Sequence, residues 1–457
     1  MRRQRILVVG AGHVGLYAAL RLSKKLRRRE AEVIVVDPQP HMTYQPFLPE
    51  ASAGNISPRH SVVPLRRELR KCQIVAGTVT DVAHDRKVAT VQPIVGPPRE
   101  IEYDHIIVAP GSVSRTLPIP GLREHGIGFK TIGEAIFLRN HVLEQLDVAA
   151  ATTDPAVRAR ALTFVFVGGG YAGIEALAEM EDMARDALRY YPELSADDMH
   201  WVLVEATNRI LPEVDRDMGA YTVQVLLKRK LDIRLGTRLE SCVDAVVTLS
   251  DGDSFPADTI VWTAGVKPSP MLDFVDLPRD ERGRLTCLPT LQVVDGSEVV
   301  EGAWSAGDCA AVPDLTGPPG ALCSPSAQHA VRQARRLADN IRAVIRGKRP
   351  VDYKHKHVGS VASLGLHKGV AQVYGIKLTG LVAWFMHRTY HLSRIPSFNR
   401  KVRVLIDWTL ALFLKREVVS LGQLHSPKEE FADVTPHIDP PPAPVPAPEP
   451  AASAARR

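Results

Sequence analysis

Cysteine is scarce in this sequence, and long apolar runs are absent from it. Five cysteines occur in 457 residues, and no two of them form a Cys-x-x-Cys pair. This odd, unpaired set argues against a disulfide scaffold or a zinc site and favours a reducing cytoplasm, so no metal site is predicted. No run of about 18 apolar residues and no signal peptide can be recognised, so neither a membrane-spanning helix nor secretion is expected.

Charge of one sign is only slightly in excess. The 57 Lys and Arg residues outnumber the 51 Asp and Glu residues, which gives a net charge of +6. A charge of this size suits anionic lipid and nucleic acid equally well. The remaining composition, 45% hydrophobic and 24% charged, is that of an ordinary globular chain long enough for more than one domain.

A glycine-rich loop follows the first predicted strand. The strand at residues 5–9 leads into Gly10, Gly12 and Gly15, which have the GxGxxG spacing, and then into a helical stretch. Gly10 permits a tight turn, Gly12 lets the backbone approach a pyrophosphate, and Gly15 lets the helix pack on the strand. Free N–H groups at the helix start attract phosphate. Asp37 lies 22 residues after Gly15, at the end of the next strand, where a carboxylate can bind ribose hydroxyls.

The same pattern returns in the middle of the chain. A strand at residues 162–167 precedes Gly168, Gly170 and Gly173, and a later strand ends in Glu205. An acid at that point repels a 2′-phosphate, so this second site is expected to prefer NADH to NADPH. Two such units predict two bound dinucleotides. The alternative is one working site beside a duplicate that has lost its function.

Two further strand ends point to a flavin. Gly111 closes the segment VAPG at residues 108–111, and Asp308 follows a short strand and precedes a long helix at residues 326–345. Together with the segments at 262–265 and 304–310, these resemble the strand-end motifs of the two-dinucleotide-binding flavoprotein superfamily. The resemblance implies FAD at the first loop and NADH at the second. It assigns FAD binding to Gly10, Gly12, Gly15, Asp37, Gly111 and Asp308, and NADH binding to Gly168, Gly170, Gly173 and Glu205.

Four segments narrow the resemblance to one family. Residues 168–175 (GGGYAGIE), 44–49 (YQPFLP), 327–333 (AQHAVRQ) and 383–408 are similar to segments of type II, non-proton-pumping NADH:quinone oxidoreductases. The second of these departs from the family, which usually has Leu-Leu-Tyr where this chain has Phe-Leu-Pro. The similarity extends over roughly residues 1–422. It implies hydride transfer from NADH to FAD, followed by transfer of two electrons to a membrane quinone.

Two other functions stay open. The chain has no redox cysteine pair, which excludes a dithiol mechanism. A sulfide:quinone reductase-like enzyme would need cysteines facing the flavin, with Cys309 or Cys323 as the candidates. An NADH-responsive flavoprotein that acts mainly through partner binding is the alternative from another class.

Three residues are candidates for roles near the flavin. Glu175, early in the helix after the second loop, is expected to lie between nicotinamide and quinone, although the helix dipole alone could account for an acid there. Gln328 could donate a hydrogen bond to a quinone carbonyl or to the flavin, or lie on the helix surface. Lys368 is predicted to approach the isoalloxazine ring of the flavin. The alternative is that it is a solvated lysine in a loop.

The C-terminal part suggests a membrane surface. Residues 402–414 are expected to form an amphipathic helix of about 13 residues, too short to span a bilayer. Its predicted polar face carries Arg403, Asp407, Ala411 and Lys415. Its predicted apolar face carries Val402, Leu405, Ile406, Trp408, Leu412 and Phe413, with Trp384, Phe385 and Tyr390 as aromatic anchors upstream. Anionic lipid is therefore the expected partner, and no motif favours nucleic acid. The alternative is a helix that packs between domains or in a homodimer.

The sequence thus predicts an α/β fold with two Rossmann-like dinucleotide-binding domains, one for FAD and one for NADH, plus a C-terminal membrane-associating region. The protein is expected at the cytoplasmic face of the cell membrane as a peripheral protein. The expected boundaries are 1–115 with 297–350 for FAD, 116–296 for NADH, 351–422 for the membrane region, and 436–457 for a disordered Pro/Ala-rich tail.

Overall fold

The computed structural model describes residues 3–356 and 358–421, and the predicted tail at 436–457 lies outside them. Helices and strands alternate along most of this length, so the predicted α/β class is confirmed. The helices are α1 His13–Lys25, α2 Leu48–Ser52, α3 Leu65–Glu68, α4 Leu122–His125, α5 Ile132–Ala151, α6 Pro155–Ala161, α7 Tyr171–Ala187, α8 Arg216–Leu227, α9 Ala327–Ile345, α10 Gly380–Arg394 and α11 Phe398–Leu410. The strands are β1 Gln4–Val9, β2 Ala31–Asp37, β3 His41–Thr43, β4 Val62–Pro64, β5 Gln73–Ala83, β6 Val88–Pro93, β7 Arg99–Glu102, β8 His105–Val108, β9 Ser112–Ser114, β10 Gly126–Gly128, β11 Thr163–Val167, β12 His200–Glu205, β13 Asp232–Leu235, β14 Leu239–Ser241, β15 Val246–Leu249, β16 Ser254–Pro256, β17 Thr259–Trp262, β18 Val266–Pro268, β19 Leu285–Thr286, β20 Gln292–Asp295, β21 Glu298–Ser305, β22 Ala310–Ala311, β23 Gly359–Ser363, β24 Gly369–Val373 and β25 Ile376–Thr379.

The larger sheet has eight strands in the order β20-β21-β8-β1-β2-β5-β6-β7. Its central strands, from β21 to β5, run parallel, and antiparallel strands extend both edges. Val9 pairs with Val36 and with Val108, and Val108 pairs with Ser305. These strands therefore end at one edge of the sheet, and the loops that follow them meet there.

The second sheet has five parallel strands in the order β10-β17-β11-β12-β13. Val167 pairs with Val204 and with Trp262, so the second glycine loop and Glu205 also meet at one sheet edge. Both sheets are buried on their central strands, where Val, Ile, Leu and Phe predominate. This composition is typical of parallel strands covered on both faces.

The C-terminal part forms an antiparallel sheet, β23-β24-β25, followed by α10 and α11. An amphipathic helix was predicted at residues 402–414. The structure has α11 at Phe398–Leu410, which starts earlier and ends before residues 411–414. Asp407, which was predicted on the polar face of this helix, has polar partners in the rest of the protein. Asp407 accepts a hydrogen bond from the backbone N–H of Ser57 at 3.1 Å and lies 2.5 Å from His60 Nδ1. Partly buried polar groups from another part of the chain thus hold this face of the helix against the protein.

The placement of two tryptophans also needs correction. Trp408, expected on the apolar outer face, is half-buried and donates a hydrogen bond from Nε1 to Glu50 at 2.7 Å. Trp384, expected as an interfacial anchor, is buried. Phe385 is exposed, as expected. Within residues 3–356 and 358–421, no helix combines the length and apolar character required to cross a bilayer.

Candidate functional site

The first glycine loop has the backbone geometry that its sequence predicts. Gly10 has φ +87°, and a Cβ there would lie 2.4 Å from the Ala109 carbonyl oxygen. A Cβ at Gly15 would lie 1.8 Å from the Gly10 carbonyl oxygen, so only glycine lets α1 pack this closely on β1. A Cβ at Gly12 would meet nothing within 4 Å. The first and third glycines are therefore needed for packing, and the second leaves open space in front of the helix start.

Asp37 lies at the end of β2 and fixes this loop. Its Oδ2 accepts a hydrogen bond from the Ala11 N–H at 2.6 Å, and its Oδ1 accepts one from the Gln39 N–H at 2.7 Å. Burial raises the pKa of Asp37, and these two N–H groups oppose that shift. The carboxylate is thus held next to the open side of the loop, where a ribose would bind.

The second loop repeats this arrangement. A Cβ at Gly173 would lie 1.9 Å from the Gly168 carbonyl oxygen, whereas one at Gly170 would meet nothing within 4 Å. Glu205 Oε2 accepts a hydrogen bond from the Gly169 N–H at 2.7 Å, and its Oε1 accepts one from the Thr207 N–H at 2.7 Å. As with Asp37, one oxygen binds the middle of the loop and the other binds the residue two positions after the acid. The duplication therefore includes the hydrogen bonds as well as the glycines.

Arg209, which lies shortly after Glu205 in the sequence, could in principle offset the negative charge of the second site. Its Nη2 donates to the carbonyl oxygens of Pro212 at 2.8 Å and Val214 at 2.6 Å. The guanidinium is therefore committed to the loop before α8 and is not a free partner for a 2′-phosphate.

Asp308 and Gly111 lie together beside the first loop. Gly111 has φ +73°, and a Cβ there would meet nothing within 4 Å. Asp308 Oδ2 accepts a hydrogen bond from Ser112 Oγ at 2.6 Å, and Ser112 Oγ accepts one from Lys130 Nζ at 2.9 Å. Burial lowers the pKa of Lys130, while Asp308 opposes the shift. Ser112 and Lys130 were not singled out in the sequence, because neither belongs to a glycine motif.

Two more residues join this group. Gln333, on α9, accepts a hydrogen bond from the Gly307 N–H at 2.8 Å and so positions the turn that carries Asp308. His13 lies within the first glycine loop, and its Nε2 is buried with no hydrogen-bond partner among the described residues. Burial, assisted by Lys130, lowers the pKa of His13 to about 4. The imidazole is therefore neutral at physiological pH.

Glu175 is buried one turn into α7, away from the free helix end. Its Oε1 accepts a hydrogen bond from the Ser363 N–H at 2.9 Å and lies 3.0 Å from Nε2 of His387 on α10. Glu179, one turn further, accepts hydrogen bonds from Asn55 Nδ2 and Ser363 Oγ, both at 2.8 Å. The structure thus brings Glu175 into a buried group of ionisable side chains, most of which the sequence did not reveal.

Gln328 is half-buried and binds the segment before β23. Its Oε1 accepts a hydrogen bond from His355 Nε2 at 2.9 Å, and its Nε2 donates to the Gly359 carbonyl oxygen at 3.3 Å. The side chain therefore contacts His355 and Gly359 and is not a plain surface amide.

Lys368 is not brought together with the other candidates. It is exposed in the turn between β23 and β24, which is tied to the far part of α7 by a hydrogen bond from the Leu366 N–H to Asp182. Asp182 lies 11 residues after Tyr171, the first residue of α7, which is roughly 16 Å along a helix. A solvated loop lysine is the reading that this position favours.

The cysteines do not form a reactive pair at the flavin side. Cys309 Sγ points into the core, where it contacts the carbonyl oxygens of Val108 and Ala306 at 3.5 Å. Burial raises the pKa of both Cys309 and Cys323 to about 11. Burial thus favours the protonated thiol at both positions, and a protonated thiol is a weaker nucleophile for sulfide chemistry.

Comparison with known proteins agrees with this geometry. The family model described as pyridine nucleotide-disulphide oxidoreductase matches residues 4–334. The chain is 28% identical to the type II NADH:quinone oxidoreductase Ndh of Mycobacterium tuberculosis, over 93% of this chain and 90% of that protein. It is also 28% identical to the type II NADH:quinone oxidoreductase of Staphylococcus epidermidis, over 84% of this chain and 94% of that protein. The resemblance found in the sequence is thereby confirmed.

Solved structures show the same fold. The structure of NDH2 from Plasmodium falciparum in complex with NADH superposes with a TM-score of 0.84 at 17% identity, covering 92% of this chain and all 100% of that one. The sulfide:quinone oxidoreductase of Aquifex aeolicus superposes less well, with a TM-score of 0.68 at 15% identity, over 91% of this chain and 96% of that one.

Proposed function

We propose that this chain, which belongs to the pyridine nucleotide-disulphide oxidoreductase family, is a type II NADH:quinone oxidoreductase that does not pump protons. The observation that carries the proposal is the duplicated loop, in which Asp37 and Glu205 accept matching hydrogen bonds from two glycine-rich turns. Relatives that align over most of this chain are named for the same activity. FAD, when bound, supplies a carrier that accepts a hydride from NADH and passes two electrons to a quinone.

The residues of the first half fit FAD. The open space in front of Gly12 and Gly111 leaves room for a pyrophosphate next to the N–H groups at the start of α1, which has no side-chain cap. In this proposal, Asp37 binds the adenosine ribose of FAD. Asp308 binds the ribityl hydroxyls, which lie between the pyrophosphate and the flavin ring. Lys130 and Ser112 hold Asp308 in place. This half corresponds to one Rossmann-like domain.

The second half forms the other Rossmann-like domain and binds NADH. Gly170 leaves the same open space before α7, which also starts without a side-chain cap. Glu205 faces the adenosine ribose and disfavours a phosphate on it through charge repulsion.

This assignment predicts a strong nucleotide preference. The kcat/KM for NADH should exceed that for NADPH by well over tenfold in the wild-type protein, and Glu205→Ala should narrow the gap because it deletes the repelling charge. Glu205→Gln is the matched variant, since it removes the charge and keeps an acceptor for the Gly169 N–H. Steady-state rates with both nucleotides measure the ratio. Equal wild-type rates would remove Glu205 from this role.

Glu175 and Gln328 border the quinone in this proposal. Gln328 is hydrogen-bonded to His355 and Gly359, so Gln328→Ala should remove both of these contacts beside the proposed quinone site. We expect the KM for quinone to rise several-fold, while the rate at which NADH bleaches the flavin absorbance stays normal. Stopped-flow absorbance measures the rate of flavin reduction by NADH, and steady-state quinone reduction measures the KM for quinone. Loss of FAD, or an equal slowing of both steps, would mark Gln328 as a structural or flavin-side residue.

The proposed quinone source is a lipid bilayer, and the C-terminal helices provide the surface that meets it. Exposed apolar side chains cover the outer side of α10, α11 and the turn after them: Leu381, Val382, Phe385, Phe398, Val402, Leu405, Ile406, Leu410, Leu412, Phe413 and Leu414. Basic residues flank this apolar patch. Burial, together with neighbouring Arg403 and Arg67, lowers the pKa of Arg400. Such a surface suits peripheral attachment to anionic headgroups at the cytoplasmic face.

One experiment tests the proposed activity against its rivals. Reduction of lipid-soluble quinones should be fast with NADH as the electron donor. It should be negligible when sulfide replaces NADH. Sulfide-dependent quinone reduction would favour the reductase alternative. Slow turnover with every quinone, together with a stable long-wavelength charge-transfer band, would favour a flavoprotein that acts through partner binding.

A further inference from the structure

A group of buried ionisable side chains lies where three helices of the chain meet. The buried acid cluster, as we call it, contains Glu50 of α2, Glu175 and Glu179 of α7, and His387 and Arg388 of α10. Each of these side chains has no more than 9% of its surface exposed to solvent. The glycine loops do not include them, and no role in binding either dinucleotide follows from their position.

The contacts within the cluster are short. Glu50 Oε2 lies 3.1 Å from Arg388 Nη2 and accepts the hydrogen bond from Trp408. Arg388 lies over the rings of Trp384 and Trp408, at 4.1 and 4.9 Å from their centroids. Glu175 contacts His387 at 3.0 Å. Nε2 of His387 faces the Glu175 carboxylate as an ion-pair contact, and within the described chain neither ring nitrogen has a hydrogen bond of regular geometry.

Charge balance requires a proton in this cluster. Three carboxylates carry three negative charges, and the positive groups that face them are Arg388 and Arg416, the latter acting on Glu179. Asp182 also acts on Glu179 but is already paired with Arg229. The ionised cluster would therefore keep an excess negative charge in a buried place, which is costly. A proton on His387 neutralises it.

The titration behaviour of the group agrees with this count. Burial opposes a charge on His387, but Glu175, Glu50 and Glu179 together outweigh burial and raise the pKa of His387. Burial, with Glu50, raises the pKa of Glu179 to about 7. The neighbouring His391 is different, because burial and His387 lower its pKa well below the usual value. Within the α10 pair, the surroundings thus favour the charged form of His387 and disfavour the charged form of His391.

The stoichiometry of quinone reduction calls for such a proton. A quinone takes up two electrons and two protons to become a quinol, whereas the hydride of NADH contains two electrons and only one proton. The second proton must come from the medium, once in every turnover. The protein needs a group that can hold it beside the quinone until both electrons arrive.

We propose that His387 stores this proton and supplies it to the quinone through Glu175. The proposal deepens the proposed function and rests on it. In the transfer, the N–H bond on Nε2 of His387 breaks and an O–H bond forms on Glu175, whose proton then moves to a quinone oxygen. The remaining cluster regains one proton from the medium, so charge and atoms balance over the cycle. His387 acts through Glu175, without touching the quinone.

The first test replaces the imidazole by a side chain that cannot titrate. His387→Gln should lower kcat for quinone reduction by at least tenfold and remove the part of its pH dependence that wild type shows above neutral pH. Bleaching of the flavin absorbance by NADH should keep its wild-type rate. His105→Gln is the control, because His105 is also buried with an unpartnered Nδ1 but lies at the amino end of β8, outside the cluster. Unchanged turnover and an unchanged pH profile in His387→Gln would overturn the proposal.

The second test does not depend on activity. A histidine whose pKa is raised by folding stabilises the folded protein below its unfolded pKa of about 6.5, and this stabilisation is lost as pH rises through the folded pKa. The wild-type Tm should therefore fall as the pH rises above the unfolded pKa of about 6.5, and the Tm of His387→Gln, in which Glu179 still titrates, should fall less over the same range. Equal slopes would show that His387 is neutral and would overturn the proposal.

A third variant protects these tests against misfolding. His387→Ala leaves a cavity that free imidazole can enter, so added imidazole should restore part of the quinone turnover with a dependence on its protonated fraction. A purely structural role would predict no such rescue, and its absence in a folded, flavin-loaded variant would count against the proposal. If wild type reduces no quinone at all, the proposed function fails by itself, while the Tm slopes still decide whether His387 carries a proton.

Discussion

Gly12→Val and Gly170→Val should each fold normally and each lose one dinucleotide. In both positions an added Cβ would meet no protein atom within 4 Å, and the backbone has a negative φ that valine accepts. The side chain would instead fill the space that a pyrophosphate needs next to the helix start. Gly12→Val should be purified without flavin, whereas Gly170→Val should be yellow but unable to use NADH.

The expected effects are large. Each hydrogen bond between a backbone N–H and a charged phosphate oxygen contributes about 1.5–3 kcal/mol, so losing two of them weakens binding by at least about a hundredfold. We expect an increase of that size in the Kd for FAD in Gly12→Val and in the KM for NADH in Gly170→Val. Fluorescence titration with FAD and steady-state kinetics with a soluble dye as electron acceptor measure the two quantities.

The neighbouring glycines provide matched controls. A Cβ at Gly15 or Gly173 would lie 1.8 or 1.9 Å from a carbonyl oxygen of the preceding turn, so Gly15→Val and Gly173→Val should fail to fold and not merely lose a ligand. Far-UV circular dichroism and thermal unfolding distinguish the two classes. A Gly12→Val protein that retains FAD with wild-type affinity would contradict the placement of FAD at the first loop.

The contrast between these glycines explains what the sequence could reveal. Both loops were predictable because a strand, three glycines, a helix and an acid follow one another within about 40 residues, and local backbone geometry dictates each residue type. The matching hydrogen bonds of Asp37 and Glu205 follow from that local order. Ser112 and Lys130 were missed, since each reaches the Asp308 turn from a different part of the chain. Gln333 was noted only as part of the 327–333 segment, and its hydrogen bond to the Asp308 turn was not predicted.

The buried acid cluster could not be predicted from the sequence, because its members are even further apart along the chain. Glu50, Glu175 and His387 belong to three helices that are more than a hundred residues apart in sequence, and no spacing rule joins them. In a sequence, each looks like an ordinary charged residue on a helix. Only the packing of α2, α7 and α10 excludes water from all of them at once and makes their charges interact.

Helix α11 shows the limit of amphipathic patterns. The sequence correctly predicted a short helix with an apolar and a polar side, but periodicity does not say which side has a partner. Both Asp407 and Trp408 face the protein. Asp407 pairs with His60, and Trp408 donates a hydrogen bond to Glu50. The apolar residues that remain exposed are then the ones available for a bilayer.

Replacing Phe398, Leu405 and Phe413 together by glutamate should release the protein from membranes. These side chains are 80%, 53% and 81% exposed, so the substitutions should leave the fold, FAD and dye-linked NADH oxidation intact. Each buried apolar side chain is worth roughly 1.5–3 kcal/mol in a lipid interface, so losing three predicts a fall in partitioning well beyond about a hundredfold. Sedimentation with anionic vesicles measures it. Truncation before α10 would be a poorer test, because α10 supplies His387 and Arg388 to the buried acid cluster.

The control variant carries the same number of new charges on another surface. Phe274, Leu227 and Leu315 are 59%, 45% and 43% exposed and lie outside α10 and α11, so their replacement by glutamate should leave vesicle binding nearly unchanged. Wild-type binding should be partly salt-sensitive, since Arg400 and its basic neighbours contribute through screened charge, and the apolar part should persist at high salt. The triple variant of Phe398, Leu405 and Phe413 could instead still sediment fully with vesicles and change from a dimer to a monomer by light scattering. That result would show that the exposed patch is a contact between two copies of the chain. In that case a lipid-soluble quinone would have to reach Glu175 by a route that does not involve α11.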